Sequence, residues 1–236
     1  MADLELITMG RVGVDLYPEQ IGVPLADVRT FAKSLGGSPT NVAVAAARLG
    51  RRAAVITKVG DDGFGAYVCK ALAEFGVDAR WVRTHPTLRT PLVFCEVHPP
   101  DRFPLLFYRE PTAPDMEIGR GDLDLAAIAR VPLFWTTGTG LAAEPSRTAT
   151  LAALDAARGI RVHDLDHRAA LWPSVDEARR WAREAVRRAT VVVGNVDEVE
   201  MATGERDPER AADVLLALGP GTAIVKLGPE GSIART

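Results

Sequence analysis

The chain has 236 residues, 47% of them hydrophobic and 25% charged, which is enough apolar content for a sizeable core and argues against a chiefly disordered chain. Its formal net charge is −3 and it contains no long basic block, so a nucleic-acid or anionic-membrane surface is disfavoured. Cys69 and Cys95 are too few for a disulfide framework and lack zinc-ligand spacing, and no stretch approaches the roughly 18 apolar residues that a membrane helix needs.

Residues 1–9 read as a strand carrying Asp3 and Glu5, without the basic start and apolar stretch of a secretory signal, so a cytoplasmic protein is expected. Thereafter short apolar runs alternate with helical periodicity. Residues 4–9, 53–59, 132–136, 160–165, 190–193 and 222–227 read as buried strands bounded by Gly, Pro or Asp. Ser38 is placed to cap a helix that has Pro39 in its first turn and runs on to Gly50. Phe64, Val68, Leu72 and Phe75 recur at helical spacing and stop at Gly76, and further helices are expected over residues 145–158, 175–188 and 208–218. This alternation calls for an α/β fold with a mainly parallel sheet covered on both faces.

Two stretches interrupt the alternation, residues 13–33 and about 80–110, the second containing Leu92-Val93-Phe94-Cys95-Glu96-Val97. Both read as antiparallel strands and loops that could meet as a small sheet, a lid over the carboxyl ends of the parallel strands, where ligands bind. No repeat or linker divides the chain, so residues 1–236 are expected to form one domain with its lid.

Gly36-Gly37 lets the backbone approach a ligand closely, and Asn41 in the following helical turn offers a carbonyl and an amide to a polyhydroxylated molecule. Taken alone, the pair is equally a plain loop. Gly10-Arg11-Val12-Gly13 lacks the Gly-x-Gly-x-x-Gly spacing of a dinucleotide site, and no Gly-Lys-Ser/Thr marks a Walker-type loop. His163-Asp164-Leu165-Asp166-His167 invites a metal reading. In a strand, however, residues four apart stand roughly 13 Å from one another, too far to share one ion, so a structural or substrate-side role is expected.

The longer pattern is more specific. Gly36-Gly37-x-Pro39-x-Asn41-x-Ala43 with Gly50, Gly60-Asp61-Asp62-x-x-Gly65, Asp164-x-Asp166-x-Arg168-x-x-Leu171-Trp172, Asn195-x-x-Glu198 and Lys226-Leu227-Gly228-x-x-Gly231 together resemble the ribokinase-like (PfkB) carbohydrate kinases over nearly the whole chain. The resemblance implies a Rossmann-like three-layer fold with a small β lid, ATP and Mg2+ as cofactors, and a sugar substrate. It implies that Asp15 grips sugar hydroxyls beside Gly36, Gly37 and Asn41, that Arg109 reaches the substrate from the lid edge, and that Arg168 matches an arginine of acid-sugar kinases. Two guanidinium groups suit a carboxylate, although ordinary pairing with Glu110 or Asp166 would explain either one. On the nucleotide side it implies that Asn195 and Glu198 organise Mg2+ and water around phosphate, Glu198 through water, and that Lys226, Gly228 and Gly231 begin the nucleotide pocket. Asn195 would serve equally as a helix cap.

Within the family, residues 10–18, 137–141 and 144–147 are most similar to the branch that phosphorylates the terminal hydroxyl of 5-dehydro-2-deoxygluconate, a keto sugar acid of inositol catabolism. Kinases of 2-keto-3-deoxygluconate and of fructose are the competing branches, and a non-catalytic sugar-binding or regulatory protein is the competitor of another class. The family's second signature, Asp-Thr-x-Gly-Ala-Gly-Asp, supplies an anion hole and the catalytic base, and it does not occur in the 236 residues. The base is therefore expected beyond Thr236, and the 236-residue chain by itself is expected to show little turnover. An exposed lid edge is a candidate homodimer interface.

Overall fold

The computed structural model describes residues 3–236; Met1 and Ala2, the start of the strand expected over residues 1–9, lie outside the described residues. The larger sheet runs in the order β12 (Ser232–Arg235), β11 (Thr222–Lys226), β10 (Val191–Asn195), β9 (Ile160–Asp164), β8 (Leu133–Thr137), β1 (Leu6–Met9), β4 (Ala53–Gly60), β5 (Asp78–His85). All its pairings are parallel except that of β12 with β11. The smaller sheet has the order β3 (Phe31–Gly36), β2 (Gly13–Pro18), β6 (Leu92–Cys95), β7 (Leu105–Tyr108).

Successive strand residues face opposite ways, and both faces of the larger sheet are apolar, as a strand covered by helices on each side requires. Leu6, Ala53 and Val55 bury against Ala43 of α1 (Ser38–Arg48) and Val68 and Leu72 of α2 (Gly63–Glu74). Their neighbours Ile7, Ala54 and Ile56 join Ile128 of α3 (Leu125–Arg130), Ala149 and Leu154 of α4 (Ser146–Ala156), and Ala185 of α5 (Val175–Val186). At the other end of the sheet, Val192, Ala223 and Val225 pack with α5, Val199 of α6 (Val196–Thr203) and Leu215 of α7 (Pro208–Ala217). The result is the three-layer α/β arrangement expected from the alternation.

Three local expectations are corrected. The cap of α1 is Gly37, at φ 110°, and no side chain caps this end; Ser38 already has its place inside the helix, where a cap residue would need extended backbone. Residues 80–85 do not belong to the smaller sheet. They lie in β5, which pairs in parallel with β4 at the edge of the larger one; with only one strand neighbour and a half-exposed surface, β5 carries too many polar residues to read as a buried strand. The smaller sheet is also not wholly antiparallel, because β2 runs parallel to β6 while its pairings β2–β3 and β6–β7 are antiparallel.

From β1 the chain fills the β4–β5 side of the sheet and then crosses back to lay down β8 to β12 on the other side. Such a reversal leaves a crevice at the carboxyl ends of the strands, the usual ligand site of open α/β sheets. The register Met9↔Thr136, Thr137↔Asp164 and Asn195↔Lys226 brings the ends of β1, β8, β9, β10 and β11 to that one edge.

Candidate functional site at the carboxyl edge of the sheet

The β1 end of this edge is built by backbone against backbone. Gly36 ends β3 opposite Gly13, and a Cβ placed on it would overlap the carboxylate of Asp15 on β2. A Cβ on Gly37 would strike the carbonyl oxygen of Arg11, and the φ of 110° is itself one that L side chains rarely adopt. Both glycines are buried, so they bring α1 and its first turn directly against the loop after β1. Asn41 stands in that first turn and is exposed, with its side chain available to a ligand. Burial raises the Asp15 carboxyl above its usual range, and the nearby Arg11 charge counters the rise.

Arg109 follows β7 and is 8% exposed; its Nη2 donates to Asp115 Oδ2 at 2.7 Å, and Asp115 is buried as well. This partner is neither Glu110 nor Asp166, the two expected from sequence. Asp115 lies in the single turn Pro114–Glu117, a segment without periodicity to mark it. Arg168 donates from Nη2 to Asp166 Oδ1 at 2.8 Å, and its Nη1 lies 3.7 Å from Glu198 Oε1. Asp166 has a φ of 30°, an uncommon conformation that Asp tolerates better than most residues. Its other oxygen accepts from Thr139 Oγ1 at 3.3 Å.

Arg168 therefore links the two halves of the edge. Beyond it, Lys226 Nζ stands 3.9 Å from Glu198 Oε2 and 3.6 Å from Asp164 Oδ1. Glu198 and Asn195 form a reciprocal cap at the start of α6: Asn195 N–H donates to Glu198 Oε2 at 2.8 Å and Glu198 N–H donates to Asn195 Oδ1 at 2.9 Å. The cap expected of Asn195 is present, with Glu198 as its second member. Gly228 and Gly231 follow in a short turn at φ 63° and 93°, open to solvent on the side where a Cβ would stand.

Burial pushes the Asp164 carboxyl up to about 6; Lys226 opposes the shift, and Asp166 and Glu198 add to it. The adjacent His163 is wholly buried, its Nδ1 2.9 Å from Thr136 Oγ1, and burial pushes its pKa down to about 4. His163 is thus a structural residue, and among the described residues no group of three or more His, Cys, Asp or Glu could hold a metal ion. The structure brings all of the sequence-derived candidates to one edge and adds two residues that had no assigned role, Arg11 and Asp115. Arg11 lies in the quoted run of residues 10–18; its place directly after the central strand was the available signal. A cleft of about 730 Å³ opens elsewhere, beside Leu4, Glu5, Arg52 and Pro132 at the amino-terminal ends of the strands, and includes none of these residues.

Known proteins share this fold. The chain is 34% identical over 239 residues to a 5-dehydro-2-deoxygluconokinase of Lacticaseibacillus casei, a match covering 98% of this chain and 73% of that protein. The crystal structure of a PfkB protein from Polaromonas sp. JS666 superposes with a TM-score of 0.90 at 28% identity, covering 98% of this chain and 79% of the other. A sugar kinase from Pyrococcus horikoshii in complex with ATP gives a TM-score of 0.80 at 25% identity, with 98% and 74% covered. Among the described residues no helix is long and apolar enough to cross a membrane. Residues 4–236 match the model of the pfkB family carbohydrate kinases, and the chain belongs to that family.

Proposed function

We propose that the chain carries the sugar side and the start of the nucleotide side of an ATP-dependent kinase that phosphorylates the terminal hydroxyl of a keto sugar acid, 5-dehydro-2-deoxygluconate. The observation that carries this reading is that the charges of Arg109 and Arg168 both reach Arg11, and that Arg11 in turn acts on Asp15. A carboxylate is a stronger acceptor for a guanidinium than the hydroxyls of a neutral sugar are. The similarity to proteins named 5-dehydro-2-deoxygluconokinase at 32–36% identity supports the same substrate.

In this reading Asp15 accepts hydrogen bonds from vicinal hydroxyls, Gly36 and Gly37 admit the sugar against the backbone, and Asn41 orients it. Lys226 would face phosphate, with the Gly228 to Gly231 turn alongside. The donor set fits a nucleotide and a hydrated cation. Both Glu198 oxygens already have protein partners, so the carboxylate would hold Mg2+ through water without giving up its cap. ATP would supply the phosphoryl group and Mg2+ the neutralisation of its charge. The smaller sheet would act as the lid. A second copy of this chain would cover its edge strand β7, where Leu105, Leu106 and Tyr108 are 51%, 47% and 59% exposed, and sedimentation of the chain against a Leu106→Lys variant tests that.

The purified 236-residue chain is expected to bind 5-dehydro-2-deoxygluconate more tightly than 2-keto-3-deoxygluconate or fructose, and to release ADP no faster than background, since it contains no Gly-Ala-Gly-Asp. Calorimetry and a coupled ADP assay check the two statements. A preference for fructose would overturn the first, and sugar-dependent ADP release well above background the second.

A further inference from the structure

Of the three arginines at the β1 end of the edge, two are already neutralised. Arg109 is held by Asp115 at 2.7 Å and Arg168 by Asp166 at 2.8 Å. Arg11 forms no ion pair among the described residues, although the charges of Asp166, Asp115 and Asp15 all reach it. Its Nε is buried and without a hydrogen-bond partner. Its guanidinium lies 5.7 Å from the ring centroid of Phe107 on β7, so one face is covered by the smaller sheet.

The position of Arg11 is also fixed. Its carbonyl accepts from Thr40 Oγ1 at 3.2 Å and lies against Gly37 too closely for any side chain there. A buried guanidinium N–H without an acceptor costs free energy that a ligand oxygen would recover. Cancelling the Arg109–Asp115 and Arg168–Asp166 pairs leaves one cation and one anion on the same rim, Arg11 and Asp15. A molecule with hydroxyls at one end and a carboxylate at the other is the complement of that pair.

We propose that Arg11, rather than Arg109 or Arg168, receives the carboxylate of the substrate and sets the preference for a sugar acid over a neutral sugar. This rests on the sugar-acid reading above. Arg109 and Arg168 are then positioning residues, which hold the walls of the site through Asp115 and Asp166. Asp115 Oδ1 is the competing partner, being buried without a hydrogen bond, and an Arg11 that served only to meet it would affect folding and not selectivity.

Calorimetric binding of 5-dehydro-2-deoxygluconate and of its carboxyl-reduced analogue to the 236-residue chain separates these cases. Arg11→Gln is expected to weaken the acid by about 10- to 100-fold and to change the neutral analogue by less than about threefold. Arg11→Lys keeps the charge without the two-pronged donor and is expected to fall between wild type and Gln; it also serves if the Gln variant does not fold. Arg168→Gln is expected to shift both ligands alike. An Arg11 variant that is folded by circular dichroism and keeps the wild-type preference, or loses both ligands equally, overturns the assignment. A wild-type chain that does not distinguish acid from neutral analogue overturns the sugar-acid reading itself, and the assignment with it.

Discussion

At the β1 end of the carboxyl edge, Gly36, Gly37 and Arg11 are set by close contacts to neighbouring chain, whereas at the β11 end Lys226 is 45% exposed at its side chain and a Cβ on Gly228 or Gly231 would meet nothing within 4 Å. Steric contact holds the β1 end in addition to its ion pairs, whereas the β11 end relies on charge. Steric contact is steep with distance, so a substitution there acts as an all-or-none change. Charge acts over longer distances and depends on pH and salt, so substitutions there should give graded effects.

The largest effect is expected where the two modes coincide. Arg109→Ala would leave Asp115 buried without its cation and should destabilise the chain by about 3–5 kcal/mol, read from denaturant unfolding. Gly37→Ala should cost about 3 kcal/mol, from an unfavourable φ together with a contact against backbone that cannot rotate away. Gly36→Ala has an easier escape, because the obstructing atom belongs to the Asp15 side chain, so its loss should fall on sugar binding more than on folding. Equal stability losses for the two glycine variants would break the distinction.

The next effect is one of pH. Asp164 titrates near 6 in the fold against a usual 3.8, so it contributes stability below about 4 that is lost as pH rises through 6. His163 titrates near 4 against 6.5, so its contribution is present above 6.5 and lost as pH falls to 4. Each amounts to about 3 kcal/mol over nearly the same window, with opposite sign, and the neighbours largely cancel. Asp164→Asn should therefore make unfolding steeply acid-sensitive between pH 4 and 6.5. His163→Asn, in which an amide can still meet Thr136, should leave a chain that is more stable at pH 4 than at pH 6.5. Thermal melts across this range check both, and parallel curves for the two variants would show that the shifts are not opposed. The smallest effect is Asn195→Ala, which removes one half of the α6 cap for about 1 kcal/mol and should be read as a shift in melting temperature.

How far the sequence revealed this molecule depended on the kind of contact involved. β4 was legible because both its faces are buried and its residues are mostly apolar, and β10 because three valines run together. β5 was misplaced because an edge strand has only half of that requirement. Among the candidate site residues, Gly36, Gly37 and Asn195 were legible through local spacing, since a close-approach turn and a helix cap are written in consecutive residues, while Glu198 was legible only through the family motif. The Arg109–Asp115 pair was not, because its second member sits in an irregular turn and nothing in the spacing of Asp115 announces a partner. Arg11 was read as part of a motif without a role, because its distinguishing property is the lack of an acceptor, which only the packed neighbours reveal.

The ladder from Gly13↔Gly36 to Pro18↔Phe31 has one further consequence. The chain leaves the larger sheet after Met9, and β2 and β3 pair from Gly13↔Gly36 outward before α1 begins, so the excursion that forms half of the smaller sheet is a closed stem, and Asp15 sits near its base. Tilting that stem would carry the carboxylate with it. The smaller sheet is thereby geared to the carboxylate proposed to grip the sugar, and under that proposal an occupied or vacant sugar position would be transmitted along β2 and β3 as a lever transmits a displacement to its far end.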